Sequence, residues 1–373
     1  MDKRIIAINL PQFHPFKEND EWWGKGFTEW TNVTKAKPRF RGHYQPHLPT
    51  ETGFYDLRLP EARKMQADMA KEAGIFGFCY YHYWFNGKRL MNRPIDEILK
   101  SGEPDFPFML CWANENWSRN WDGGFNDILI EQKYSIVDDE KHMDFLCKNV
   151  FVDERYIKVN GKPFFVVYKP FLFPDIKRTI EVWRKTAKKN GFDLYLGFMR
   201  NGYVGRKEML EQGFDVAVEF QPDLISKYPY GTLLCFLKKI YDYLYRIMEK
   251  LGVSIEPSPK CFLYDYQKYF HIQIDKLKKN NIKQFPCVTP MWDNSARRVG
   301  KPYRAFKNSS PSLYGNWLYK VMNIFKPYSD EENFVFINAW NEWAEGNHLE
   351  PDTKWGNQYL KITKDIIKVK INK

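Results

Sequence analysis

Eight short apolar runs recur along the chain, and most are separated by enough sequence for a helix or a long loop. They are RIIAINL from Arg4 to Leu10, IFGFCYYHYWF at 75–85, FPFMLCWANE at 106–115, PFFVVYKP at 163–170, DLYLGFM at 193–199, DVAVEF at 215–220, FPCVTPMWDN at 285–294 and FVFINAWNEW at 334–343. Most are continuously apolar, the pattern of strands buried on both faces in a parallel sheet covered by helices. Between them, Leu59, Ala62, Met65, Met69 and Ala73 recur at near-helical spacing, with Pro60 at the start and Gly74 at the end. Further helices are expected near 175–189 and 357–370. Eight such units predict an α/β fold, a (β/α)8 TIM barrel with long βα loops. A doubly wound sheet would carry a Gly-rich turn after its first strand, and none follows Leu10. The 373 residues suit a single barrel catalytic domain, 1–373, interrupted at about 221–284 by an insertion rich in Tyr and Lys with a helical pattern near 233–250.

A barrel gathers its reactive residues at the C-terminal ends of its strands. Those ends hold Tyr81, His82 and Trp84, then Trp112, Asn114, Glu115 and Trp117, then Lys169, Glu219, Trp292 and Asp293, and finally Trp340, Asn341, Glu342, Trp343 and Glu345. Aromatic rings stack on sugar faces, amides and imidazoles hydrogen-bond hydroxyls, and paired carboxylates act as acid and base at a glycosidic bond. Glu342 and Glu345 form the sharpest pair. Three residues apart in a turn they could face one ligand, whereas a continuing strand would point them apart. Gly346 permits that turn. The flanking Trp340 and Trp343 are expected to desolvate one carboxyl group and raise its pKa. The other strand-end residues are expected to bind substrate.

The chain is 17% aromatic, which supplies both a core and such a cleft. Its formal charge of +11 comes from scattered Lys and short clusters, such as Arg184-Lys185 with Lys188-Lys189 and the tail Lys368, Lys370 and Lys373. No zinc finger or Arg-rich arm accompanies them, so nucleic acid is not expected as a partner. The basic surface is compatible with weak peripheral contact with an anionic membrane. No run of about 18 apolar residues occurs, and Met1-Asp2-Lys3-Arg4 leads directly into a strand, so the expected compartment is the cytoplasm. His14, His43 and His47 share the first long loop with Asp20 and Glu29, but not at metal-ligand spacing, so no metal is expected. Without a phosphate loop or dinucleotide fingerprint, no cofactor is expected either.

The strings LPQFHP at 10–15, ENDEWWGKGFTEWTNV at 18–33, GHYQPHLP at 42–49, GFYDLRLPE at 53–61, GFCYYHYWFNGKRL at 77–90, CWANENW at 111–117 and WNEWAEG at 340–346 resemble the WbsX-like family. Members of that family are described as glycosyltransferases of lipopolysaccharide or O-antigen biosynthesis. The WNEWAEG segment is also similar to family 99 glycoside hydrolases, retaining α-mannosidases and α-mannanases on a (β/α)8 barrel. That resemblance implies that Glu342 is a general base on a sugar 2-hydroxyl, giving a 1,2-anhydro intermediate, and that Glu345 is the general acid/base at the leaving oxygen. The hydrolases commonly have His and Thr where this chain has Ala344 and Asn347. The expected substrate is an α-linked oligosaccharide or polysaccharide, with transfer from an activated donor or a non-catalytic glycan-binding barrel as alternatives.

Overall fold

In the computed structural model, which describes residues 2–118, 128–200, 206–223, 240, 243–244, 247–248, 261–298 and 301–371, the apolar runs become the staves of a parallel barrel. They are β1 (Arg4–Asn9), β2 (Gly77–Phe85), β3 (Phe108–Trp112), β4 (Lys162–Val167), β5 (Tyr195–Arg200), β6 (Val216–Glu219), β7 in two pieces (Gln284–Phe285 and Cys287–Val288) and β8 (Phe334–Ile337). Each pairs in parallel with its sequence neighbour, and β8 returns to β1 with Arg4 opposite Phe334. β7 divides at Pro286, which has no N–H to give the ladder. Its carbonyl still accepts from the Phe336 amide at 2.8 Å.

The loop after β1 carries two short helices, α1 (Lys17–Trp23) and α2 (Glu29–Lys35). One helix then follows each strand: α3 (Pro60–Glu72), α4 (Arg93–Ser101), α5 (Ile136–Asn149), α6 (Ile176–Lys189), α7 (Arg206–Glu211), α8 (Tyr266–Lys278), α9 (Pro311–Ile324) and α10 (Gln358–Ile371). The three helices expected from spacing appear within a few residues of their expected bounds. Pro60 occupies the first turn of α3, where no N–H is needed, and Asp175 caps α6 by accepting from the Arg178 amide at 2.9 Å. Helix α10 packs on both α9 and α3, which closes the outer layer.

Of the expected insertion at 221–284, the described residues include a strand, Phe262–Asp265, paired in parallel with Arg304–Lys307, followed by α8. Helix α8 takes the sixth helix position of the barrel. The insertion's Tyr- and Lys-rich pattern near 233–250 falls largely outside the described residues. Among the described residues no helix is long and apolar enough to cross a membrane.

Aromatic side chains fill the barrel. Phe164 of β4 lies 5.7 Å from Phe334 of β8 and 5.9 Å from Phe285 of β7, between ring centroids, and Phe285 lies 5.4 Å from Phe334. Part of the aromatic content is therefore core filler. On β2, a Cβ at Gly77 would meet the Pro107 carbonyl oxygen at 2.6 Å, so only glycine lets this stave close on the next.

Candidate active site at the barrel mouth

Because all eight strands are parallel, their C-terminal ends meet at one mouth. The chain leaves β8 there in a small hairpin, Asn341–Glu342 against Asn347–His348, with Trp343–Glu345 forming a tight turn. Gly346 closes the turn at φ +51°, and a Cβ there would also lie 3.1 Å from Asp293 Cβ. Asn341 ties the hairpin to the end of β1: its Oδ1 accepts from the Leu10 amide at 2.7 Å and its Nδ2 donates to the Leu10 carbonyl at 3.1 Å.

The two tryptophans of the hairpin are anchors. The Trp340 and Trp343 indoles donate to Glu350 at 2.9 and 2.6 Å, and Tyr55 and Gln66 donate to the same carboxyl group at 2.8 and 2.7 Å. Burial pushes Glu350 up to about 7, and the four donors pull back against it. Trp340, Asn341 and Trp343, expected at the ligand, are instead fully buried behind the turn.

The turn sends Glu342 and Glu345 to the same side, where one guanidinium holds both. Arg297, from the loop after β7, donates through Nη1 to Glu345 at 2.6 Å and through Nη2 to Glu342 at 2.9 Å. Nη2 also reaches Glu29 of α2 at 3.1 Å. Three carboxyl groups thus surround one cation. Burial raises Glu342 to about 8; Arg297 pulls it down, while Glu345 and Glu29 push it further up. Glu29, fully buried, is also raised by burial, against Arg297. Burial works against the charge of Arg297, but the three carboxyl groups outweigh it and hold the guanidinium above its ordinary range. The Trp292 indole donates to the second oxygen of Glu345 at 2.9 Å. Glu345 is the more accessible of the pair, its side chain 27% exposed against 10% for Glu342.

These groups floor a cavity of about 240 Å³ whose walls include Tyr81, Tyr83, Glu115, Trp117, Tyr168 and Phe220. Tyr83 packs against Trp117 at 5.2 Å and Tyr168 against Phe220 at 5.3 Å, which gives the cavity two aromatic walls. At its rim Glu115 is ion-paired with Lys169. Of the residues singled out in the sequence, Tyr81, Glu115, Trp117, Glu342 and Glu345 therefore line one cavity.

The others lie elsewhere, chiefly because of strand alternation. On β2, Tyr81 and Tyr83 point into the mouth, while His82 and Trp84 point to the helix layer. His82 meets His142 of α5 at 2.9 Å, and the Trp84 indole donates to Asp138 at 3.1 Å. Burial pushes the His82 imidazole down to about 3. Trp112 is buried against Trp183 and Phe173. Asn114 is a buried brace, donating to the Lys169 carbonyl at 2.8 Å and accepting from its amide at 2.7 Å. Glu219, raised by burial against the pull of Arg200, accepts from the Cys287 amide at 3.2 Å. Arg297, Glu29 and Tyr83 were not anticipated. Tyr83 was legible from the alternation; Arg297 follows β7 and Glu29 opens α2, and nothing in either segment marks this contact.

Trp292 and Asp293 line a neighbouring cavity of about 410 Å³. Asp293 accepts from His43 at 2.5 Å, Gln45 at 3.0 Å and the Ser295 amide at 2.9 Å. Burial alone would raise this carboxyl group, but those partners hold it below its ordinary value. Among the described residues, His47, His348 and Asp352 form a buried cluster able to hold a metal ion.

The model of the family described as Glycosyltransferase WbsX matches residues 5–363. Two relatives from strains of Xanthomonas campestris pv. campestris, both bearing the name uncharacterized protein WxcX, are 38% identical over 371 and 365 residues. The matches cover 97% of this chain and 49% of each relative, so the chain spans about half their length. A solved glycoside hydrolase-like protein superposes with a TM-score of 0.61 at 14% identity, covering 98% of this chain and 94% of that one. The GH99 endo-α-mannosidase from Bacteroides thetaiotaomicron, in complex with bis-tris-propane, superposes with a TM-score of 0.58 at 12% identity, covering 100% and 98%. At those identities the likeness is one of fold.

Proposed function

The chain belongs to the WbsX glycosyltransferase family, and from that membership we propose that it transfers a glycosyl group to or from an α-linked surface polysaccharide at its barrel mouth. The observation that carries this reading is the placement of Glu342 and Glu345 on one turn, both against Arg297, at the floor of an aromatic-walled cavity. Aromatic walls suit the apolar faces of a pyranose ring. Paired carboxyl groups suit the proton transfers at an anomeric centre. In this reading Glu342 takes a proton from a sugar hydroxyl beside the reacting carbon. Its raised pKa makes it a strong base once ionised. Glu345, the more exposed, exchanges a proton with the leaving and incoming oxygens. Trp292 and Arg297 orient its carboxyl group.

Hydrolysis of an α-mannoside-type linkage by the same pair is the second reading, favoured by the similarity of the WNEWAEG segment to that of family 99 glycoside hydrolases. Incubation with α-linked manno-oligosaccharides and, separately, with nucleotide sugars plus a saccharide acceptor distinguishes transfer from hydrolysis by the products. In either case Glu345→Gln is expected to lower turnover by about 10²-fold or more while sugar binding persists. Unchanged turnover in that variant removes the assignment, and binding without turnover of any of these sugars by the wild type leaves a glycan-binding barrel.

A further inference from the structure

His47, His348 and Asp352 converge behind the catalytic turn from three separate places in the chain. His47 comes from the long loop after β1, His348 from the return strand of the hairpin, and Asp352 from the segment leading to α10. His47 Nδ1 lies 3.0 Å from His348 Nε2, His348 Nε2 lies 3.7 Å from Asp352 Oδ2, and all three atoms fall within 4.8 Å of one another. Ligand atoms around a tetrahedral zinc ion lie about 3.3 Å apart, so small side-chain movements bring these three to coordinating distance.

The surroundings are arranged as around a metal. His348 Nδ1 lies 3.0 Å from the Glu350 carbonyl, which fixes the tautomer that leaves the Nε2 lone pair facing the cluster. Asp352 Oδ1 accepts from the Lys354 and Trp355 amides at 2.8 and 2.6 Å. Its other oxygen, Oδ2, is buried and lies 3.7 Å from His348 Nε2, with the Tyr44 hydroxyl as the further polar group beside this carboxylate. Asp352 is 1% exposed, and a carboxylate at that depth, with two imidazoles and one hydroxyl beside it and no basic side chain paired to it in the cluster, favours a cation. The Trp343 indole stacks on His348 at 3.8 Å, so the cluster touches the turn that carries Glu342 and Glu345.

We propose that His47, His348 and Asp352 form a structural site for a divalent transition metal of the zinc class, which clamps the first loop to the catalytic hairpin. Two imidazoles and a carboxylate suit Zn²⁺ better than Ca²⁺ or Mg²⁺. A water completes the fourth position. His47 also lines the neighbouring cavity, which gives the ion a route in.

The test is metal binding by the full chain, stripped with a chelator and freed of any histidine tag. Titration with Co²⁺ is expected to produce visible d–d absorption that saturates at about one equivalent and is displaced by Zn²⁺. Zn²⁺ is also expected to raise the melting temperature of the stripped protein. Asp352→Asn and His47→Gln, checked for native circular dichroism, are each expected to weaken Co²⁺ binding about tenfold or more. A wild-type chain that shows neither a saturable Co²⁺ signal nor a Zn²⁺-dependent melting shift overturns the site. So does a folded variant that binds as the wild type does. Should neither variant fold, the wild-type titration and melting shift decide alone. These readouts do not involve sugar turnover, so the site stands or falls independently of the proposed function.

Discussion

The Arg297 guanidinium donates through Nη2 to Glu342 at 2.9 Å and so binds the loop after β7 to the turn after β8. Nη2 also reaches Glu29, which has no exposed surface. Arg297→Met would keep the stem and remove the guanidinium charge that lies against both Glu29 and Glu342. Breaking a buried pair by removing one partner costs about 3–5 kcal/mol. Urea unfolding of this variant is expected to show a loss of that order; an unchanged midpoint would place little weight on the cluster. Arg297→Lys keeps the charge but not the fork, and is expected to recover only part of the loss.

The pH dependence of turnover follows from Glu342. If it acts as a base, the rate rises as pH rises through about 8, where burial has placed its pKa. Glu345 is among the groups pushing that value up. Removing its charge in Glu345→Gln is therefore expected to move the same limb to lower pH in whatever turnover remains. A profile that falls through that range would assign Glu342 the acid role instead.

Stability has the opposite sign. Glu342 is raised in the folded chain from an ordinary 4.5 to about 8. The folded state therefore binds the extra proton, and its contribution is full below about 4.5 and lost as pH rises through about 8. Glu350, raised to about 7, adds in the same direction. The melting temperature is expected to decline across this window, and Glu342→Gln, which cannot ionise, is expected to flatten the decline.

Glu350 accepts from four buried donors, and an amide in its place offers one fewer acceptor oxygen. Glu350→Gln leaves donors among Tyr55, Gln66, Trp340 and Trp343 unmatched. Each buried group left without a partner costs about 1–3 kcal/mol. Differential scanning calorimetry should register a lowered melting temperature, and equal stability would show that the cage is dispensable.

Neighbouring positions on β2 are expected to separate by function. Tyr83 lines the cavity and His82 packs on α5. Tyr83→Ala is expected to raise KM about tenfold through lost ring contact, whereas His82→Ala is expected to lower stability and leave KM unchanged. Steady-state kinetics with whichever sugar is turned over, alongside thermal melts, checks both; the reverse pattern would invert the assignment of faces.

Much of this was legible in the chain itself. The continuous apolar runs placed the staves, because a strand buried on both faces needs apolar side chains throughout. The spacing of Glu342 and Glu345 before Gly346 anticipated a turn carrying both carboxyl groups, since a glycine accepts the left-handed φ that ends it. Which strand-end residues face the mouth was harder to read. In an apolar run both faces look alike, so His82 and Trp84 could not be distinguished from Tyr81 by composition, although the two-residue period separates them once one side is known.

Tertiary structure alone decided the partners. Nothing local marks Arg297 and Glu29 as neighbours of the glutamate pair, or His47 as a neighbour of His348. These contacts exist because eight parallel staves close into a ring and bring the loops from all their C-terminal ends to one mouth. The sequence set each loop's chemistry through its residue types; closure of the barrel set which loops touch. Burial at that meeting point then raised Glu342 and left Asp352 facing two imidazoles, consequences of an environment that no single segment carries.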